Sequence, residues 1–286
     1  MIYRTLISTS ELAAHLDDPE WAVVDCRFTL GQTERGRRDY LESHIPGAVY
    51  VHLDEELCSP VIPGKTGRHP LPSMEKAVGT MTRVGIGPET QMIVYDDWPG
   101  PSGGIAARLW WMSRWLGHEA VAVLDGGWQS WVEEGRSVRR GEEKRPSREF
   151  RLHLHPELYA SSQDVDALRS DPTSRVFDSR SADRYRGENE TIDPVAGHVP
   201  GAFSAPYADN MGSDGRFRSP QELRERFEAL LDGVPAERAV FYCGSGVTAA
   251  HNVLAVAHAG LGDARLYVGS WSDWITDPEH PIALGE

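Results

Sequence analysis

Residues 241–252 read FYCGSGVTAAHN, from Phe241 to Asn252. An apolar run, Ala239 to Tyr242, ends in a cysteine. Two glycines follow within three residues, and a helix-forming stretch begins after them. This is the pattern of a buried strand, a tight turn and a helix N-terminus. Backbone amides and the helix dipole favour an anion at such a place. Three readings are open at this point. Cys243 is a reactive sulfur cradled by the loop, Gly244-x-Gly246-x-x-Ala249 is a dinucleotide fingerprint, or the stretch is a turn without chemistry.

Outward from the loop, the chain repeats itself. Ala239-Val240-Phe241-Tyr242-Cys243 has a sister in Met92-Ile93-Val94-Tyr95-Asp96. Val23-Val24-Asp25-Cys26-Arg27 returns as Val176-Phe177-Asp178-Ser179-Arg180, and His44-Ile45-Pro46-Gly47-Ala48 as His198-Val199-Pro200-Gly201-Ala202. Asp125-Gly126-Gly127-Trp128 parallels Val268-Gly269-Ser270-Trp271. Four landmarks keep one order at a shift of about 150 residues, the mark of a duplicated domain. The 286-residue length also suits two domains. Each half alternates short β-branched runs with longer helical patterns, which predicts an α/β fold. Each domain would then be a mainly parallel sheet flanked by helices on both faces. Ile105, Leu109, Met112 and Leu116 fall near helical spacing with Gly117 as a stop; Val253, Val256 and Ala257 do the same with Gly260. The tryptophans of that first helix, Trp110, Trp111 and Trp115, read as packing residues. The expected division is a first domain over 1–138, a charged linker over 139–157, and a second domain over 158–286.

Composition narrows the function. The formal charge of −14 argues against broad nucleic-acid or anionic-membrane binding, and no apolar stretch approaches a membrane span. The first residues lack the layout of a signal peptide, so a cytoplasmic protein is expected. Cys26, Cys58 and Cys243 are widely spaced and form no CxxC pair, so neither a disulfide framework nor a zinc ribbon is expected. His251 and His258 are seven apart, roughly 10.5 Å along a helix, too far to share an ion. No metal and no organic cofactor is expected.

The chemical readings of the loop then separate. A dinucleotide fingerprint needs an acidic residue at the end of the next strand, and here Ala264 to Val268 runs into Gly269-Ser270. Cysteine phosphatases carry an arginine where this chain has Ala249, and without it phosphoryl transfer loses its clamp. Sulfur chemistry fits better. The N–H groups of Gly244, Ser245, Gly246, Val247 and Thr248 can curl around the Cys243 sulfur, and the glycines permit the tight curve. A stabilised thiolate is a nucleophile, and the same cradle suits a persulfide.

With these residues the chain resembles a two-domain rhodanese-type sulfurtransferase, from about Leu6 to Ile275. The most specific element is Cys243-Gly244-Ser245-Gly246-Val247-Thr248-Ala249. It is similar to the mercaptopyruvate branch, whereas thiosulfate enzymes commonly show Arg and Lys where Gly244 and Ser245 stand. Arg184-Tyr185-Arg186-Gly187 and Gly197-His198-Val199-Pro200-Gly201-Ala202 add to the likeness. The resemblance implies a catalytic second domain and a first domain that has lost the cysteine, as Asp96 fits. It implies Cys243 as sulfur carrier, loop residues 244–248 around the donor, and Arg184 on the donor carboxylate with Arg186 assisting. His44 is either a proton-handling residue or, like its twin His198, a turn stabiliser. The donor would be a small anionic compound, 3-mercaptopyruvate or thiosulfate, and the acceptor a thiol, such as thioredoxin, or cyanide. One position departs: the mercaptopyruvate enzymes have a second arginine where this chain has Asp193. The rival expectations are a non-catalytic rhodanese-like binding module and a thiosulfate-specific sulfurtransferase.

Overall fold

The computed structural model describes residues 2–97 and 104–286. It divides into two compact units, Met1–Ser59 with Leu71–His155 and Ser213–Arg216, and Pro60–Pro70 with Pro156–Gly212 and Phe217–Glu286.

The first unit holds strands β1 (Leu6–Ile7), β2 (Trp21–Asp25), β3 (Val49–Tyr50), β4 (Gln91–Tyr95) and β5 (Val121–Leu124). Its helices are α1 (Thr9–Ala13), α2 (Arg35–Glu42), α3 (Leu53–Glu56), α4 (Met74–Arg83), α5 (Ile105–Trp115) and α6 (Gly127–Glu133). The second unit holds β6 (Tyr159–Ala160), β7 (Arg175–Asp178), β8 (Phe203–Ser204), β9 (Ala239–Tyr242) and β10 (Arg265–Tyr267). Its helices are α7 (Ser162–Leu168), α8 (Ala182–Tyr185), α9 (Pro220–Leu231), α10 (Thr248–His258) and α11 (Ser270–Trp274). The strand orders are β1-β5-β4-β2-β3 and β6-β10-β9-β7-β8, and every pairing is parallel. The two sheets are therefore one topology used twice, as the repeat requires. β2 and β4 are buried along their whole length, in keeping with a sheet covered on both faces.

The repeat extends to buried polar detail. Asp25 and Asp178 each receive a forked hydrogen bond from the arginine two residues on, Arg27 and Arg180. The hydroxyls of Tyr95 and Tyr242 accept the backbone N–H of Ile45 and Val199. Each arginine lies over a tryptophan, Trp128 at 4.4 Å and Trp271 at 4.9 Å. Ser8 and Ser161 close matching capping boxes with Glu11 and Asp164. Trp110, Trp111 and Trp115 are all buried, as their packing reading required.

The division differs from the expected one at two places. Residues 139–155 lie along the first unit: Arg139 exchanges two backbone hydrogen bonds with His44, and the N–H groups of His153 and His155 reach Leu116 and Trp115. Pro60–Pro70, from the first half of the chain, packs in the second unit. Gly67 fits against the Gly269 carbonyl, where a Cβ would come within 2.7 Å, and the Arg68 N–H donates to Ser272 Oγ at 3.0 Å.

His251 on α10 carries a stability prediction. Its ring stacks on Phe217 and meets Asn210 Nδ2 at 3.1 Å. Burial, then the Arg226 guanidinium, pulls its pKa from 6.5 down to about 3. The unfolded chain therefore takes up a proton below pH 6.5 that the folded chain refuses. The contribution is complete above that pH and shrinks by up to about 1.4 kcal/mol per unit as pH falls toward 3. Melting midpoints measured from pH 7 to 4 should fall less steeply in His251→Gln than in the parent; identical slopes would refute the assignment.

Candidate active site

β9, the middle strand of the second sheet, places Cys243 just past its C-terminal end, and α10 begins five residues later. Between them the chain makes one tight loop. Gly246 takes φ +73°, and a Cβ there would lie 2.2 Å from the Val268 carbonyl oxygen. Only glycine permits that approach. The curl turns the Gly246 N–H onto the Cys243 Sγ at 3.1 Å. The sulfur lies at the bottom of the loop, 2% exposed as a residue. The start of α11 braces the strand end: the Cys243 N–H donates to Ser270 Oγ, and the N–H groups of Trp271 and Ser272 donate to the Cys243 and Gly244 carbonyls. Ser270 holds φ +58°, the conformation that Gly127 holds in the sister repeat at φ +53°.

The first unit supplies an internal comparison. Asp96 follows β4 as Cys243 follows β9, and its carbonyl accepts the Trp128 N–H as that of Cys243 accepts the Trp271 N–H. The Asp96 carboxylate oxygen Oδ2 receives the N–H groups of Gly104 and Ala106 at 2.8 and 2.9 Å. This corner of the fold thus sets a hydrogen-bond acceptor against the start of a helix. In the first unit the acceptor is a carboxylate; in the second it is a sulfur.

Side chains gather over the second loop. Ser245 Oγ and His69 Nδ1 are 2.8 Å apart, and both residues are buried. Arg184 is gripped by Glu190 through Nε and Nη2, at 3.0 and 2.9 Å, and its Nη2 also reaches Asp193 Oδ2 at 3.1 Å. The other Asp193 oxygen, Oδ1, accepts from Arg68 Nη1 at 2.5 Å. A Cβ on Gly244 would lie 2.9 Å from Arg68 Nη2 and 3.6 Å from Arg184 Nη2, so both guanidinium groups stand over the loop. A nucleophilic sulfur under two cations and a hydroxyl–imidazole pair is equipped to bind a small anion, attack it and manage one proton.

The rhodanese-like domain family matches the chain twice, over residues 8–134 and 161–277. The chain belongs to the rhodanese-like family. It is a sulfurtransferase of the two-domain kind. A Pseudomonas aeruginosa protein named "Probable 3-mercaptopyruvate sulfurtransferase" is 44% identical over 282 residues, 98% of each chain. A Mycobacterium tuberculosis protein, SseB, named provisionally as a thiosulfate sulfurtransferase, is 37% identical over 289 residues, 99% of this chain and 98% of its own. The crystal structure of SseA from Escherichia coli, described as a 3-mercaptopyruvate sulfotransferase with the rhodanese fold, superposes with a TM-score of 0.79. It is 32% identical, covering 94% of this chain and all of the other.

Within this rhodanese frame the expected site residues are distributed unevenly. Cys243, Gly244, Ser245, Gly246 and Arg184 come together as described; of the loop N–H groups expected around the sulfur, the structure puts that of Gly246 on Sγ, and Val247 and Thr248 lead into α10. Arg186 is turned to Glu188 at 2.7 Å and to Glu286 at 3.7 Å. His44 lies in the first unit, fully buried, with Nδ1 2.7 Å from the Tyr40 carbonyl and its ring stacked on Tyr40. His198 repeats this against Tyr185, with 2.8 Å to the carbonyl. That shared setting favours the turn-stabilising reading of His44. Cys26 and Cys58 are buried, and burial raises both thiol pKa values, which keeps them protonated and unreactive. Arg68, His69 and Glu190 are the site residues that sequence reading missed. The Gly67-Arg68-His69-Pro70 turn was a visible signal, a charged pair fixed between a glycine and a proline.

Proposed function

We propose that this sulfurtransferase takes sulfur from 3-mercaptopyruvate onto Cys243 and passes it from the persulfide to a thiol, such as that of reduced thioredoxin, or to cyanide. The observation that carries this reading is the Gly246 N–H on the Cys243 sulfur, at the position where the sister repeat holds the Asp96 carboxylate. The thiolate attacks the donor sulfur. The S–S bond forms, the C–S bond breaks, and its electron pair leaves on the enolate of pyruvate, which takes up one proton. Ser245, two residues along the loop from Cys243 and 2.8 Å from His69 Nδ1, can supply it, so proton handling falls to this pair in place of His44. Arg184 holds the donor carboxylate, and Glu190 and Asp193 fix the orientation of its guanidinium.

The neutral loop at Gly244 and Ser245 favours mercaptopyruvate, and so does the name of the Pseudomonas relative; the SseB name is the ground for thiosulfate as the second reading. An intact cysteine on an ordered loop speaks against a non-catalytic binding module. Cys26, Cys58 and Cys243 are all free thiols, which suits a reducing cytoplasm. Among the described residues no helix is long and apolar enough to cross a membrane.

The test is a comparison of kcat/KM for the two donors with one acceptor. Mercaptopyruvate is expected to exceed thiosulfate by at least about tenfold, some 1.4 kcal/mol; parity or a reversed order would overturn the donor assignment. Arg184→Ala should raise the mercaptopyruvate KM by about tenfold or more, the loss of a charge-assisted contact. An unchanged KM would refute its role.

A further inference from the structure

The first unit lacks the cysteine, yet it keeps a cavity at the place where the second unit holds its reactive sulfur. From β2 the chain moves on to β3 on one side of the sheet, and from β4 to β5 on the other. Ligands of open parallel sheets lie outside the C-terminal ends of two strands that part in this way. The counterparts β7 and β9 end in Arg180 and Cys243. After β2 and β4 stand Arg27 and Asp97, which line a cavity of about 490 Å³ together with Trp128 and Arg140. That is ample for a small molecule. We propose that this cavity binds a small zwitterion, a polar α-amino acid, with its carboxylate on Arg27 and Arg140 and its ammonium group on Asp97. All of its lining residues belong to the first unit, and the site does not depend on the sulfurtransfer reading.

The sister repeat shows what is different here. Tyr40 and Tyr185 are counterparts: each stacks on a histidine, His44 or His198, and each hydroxyl donates to a carbonyl, that of Ala48 or Ala202. Asp39, which also lines the cavity, therefore stands where the second unit has Arg184. Asp97, one residue beyond Asp96, stands where it has Gly244. A cation and a glycine in one repeat are two carboxylates in the other. Such a wall suits a positively charged group.

Asp97 is the better placed of the two. Its Oδ1 is buried without a hydrogen-bond partner among the described residues, whereas Asp39 receives Arg35 Nε at 3.2 Å. A buried carboxylate oxygen without a donor is costly, and an ammonium group would bring both the donor and the opposite charge. Burial, then the Asp96 charge, pushes the Asp97 carboxyl up to about 6; Arg27 and Arg35 pull it down without cancelling the rise.

The cationic side is equally prepared. Arg27 is 3% exposed, with Nε and Nη2 on Asp25 and Nη2 also on the Ser43 carbonyl. Its counterpart Arg180 places Nη1 on Glu190 at 3.2 Å, an acceptor that Arg27 Nη1 lacks among the described residues. The Trp128 ring, 4.4 Å from the guanidinium carbon, fixes the plane of that group. Arg140 is exposed and forms no ion pair with a described residue. One anchored and one free guanidinium are suited to hold a carboxylate. The remaining wall includes Glu42 and Gln129, which favour a polar side chain on the ligand over an aliphatic one.

The experiment is calorimetric titration of the full chain with L-serine, L-asparagine and L-glutamine. The tightest binder is then compared with two analogues, one with hydrogen in place of the ammonium group and one with the carboxylate capped as an amide. At least one amino acid should bind with Kd below about 1 mM, and both analogues at least about tenfold more weakly. Asp97→Asn keeps the shape and removes the charge, and should weaken binding about tenfold; exposed Arg140→Ala should weaken it severalfold. Arg184→Ala, in the second unit, should leave Kd unchanged, which separates this cavity from the loop of Cys243. Melting midpoints report the folding of each variant. The proposal is overturned if the parent binds none of the three amino acids, or if the analogue without the ammonium group binds as tightly as its parent amino acid. It is equally overturned if Arg140→Ala and a folded Asp97→Asn both keep the parental Kd, or if Arg184→Ala abolishes binding.

Discussion

Cys243→Ser is expected to lose sulfur transfer from every donor, by at least about 10³-fold in kcat. The substitution exchanges one atom on a side chain that is almost fully buried, and the Gly246 N–H that now meets Sγ can meet a serine oxygen. The fold should persist, with a melting midpoint within a few degrees of the parent. The chemistry should not. A serine hydroxyl is not ionised near neutral pH and forms no stable bond to sulfane sulfur. Loss of activity with retained stability therefore isolates the sulfur as the carrier. Equal losses in Cys26→Ser or Cys58→Ser would contradict the account, because those thiols are buried in the first unit and burial raises their pKa values.

Gly246→Ala is expected to be the most damaging change in the loop apart from Cys243. The residue sits at φ +73°, where a side chain costs about 1–2 kcal/mol. The new Cβ would also stand 2.2 Å from the Val268 carbonyl oxygen, which is backbone and cannot swing aside. The loop must open, and opening lifts the Gly246 N–H from the sulfur. Loss of one preorganised donor to a developing anion costs about 10²–10³ in rate in other enzymes, and a similar fall in kcat is expected here. Gly244→Ala provides the contrast. Its Cβ would meet the end of the Arg68 side chain, which can move, so the effect should be smaller and should fall on the donor KM. A Gly246→Ala enzyme with near-parental turnover would show that the amide is not needed.

Much of this architecture was legible in the chain because duplication prints itself as ordered landmarks. The strand before Asp96 and the strand before Cys243 were recognisable as counterparts, and the structure gives them the same place in the same strand order. Cys243 stood out because a strand end, two glycines and a helix start are all local in sequence. The cations and the histidine over the loop were harder to see. His69 meets Ser245 across 176 positions and Arg68 meets Asp193 across 125. Neither pairing leaves a periodic trace, and Pro60–Pro70 belongs by sequence to the half of the chain that lacks the nucleophile. Asp193 was visible only as a departure from the mercaptopyruvate pattern. Its two hydrogen-bonded arginines make it a support, a meaning that depends on a neighbour no local reading could supply. The charged stretch at 139–155 looked like a free linker because it has no period. It is instead pinned to the first unit by backbone hydrogen bonds, which composition does not reveal.

The central claim is that Cys243 carries the sulfur, and intact-protein and peptide mass spectrometry after brief incubation with 3-mercaptopyruvate tests it most directly. The account predicts a gain of one sulfur atom, about 32 Da, confined to the peptide containing Cys243 and removed by an added thiol or by cyanide. An unmodified Cys243 in a protein that still turns over the donor, or the added mass on Cys26 or Cys58, would contradict it.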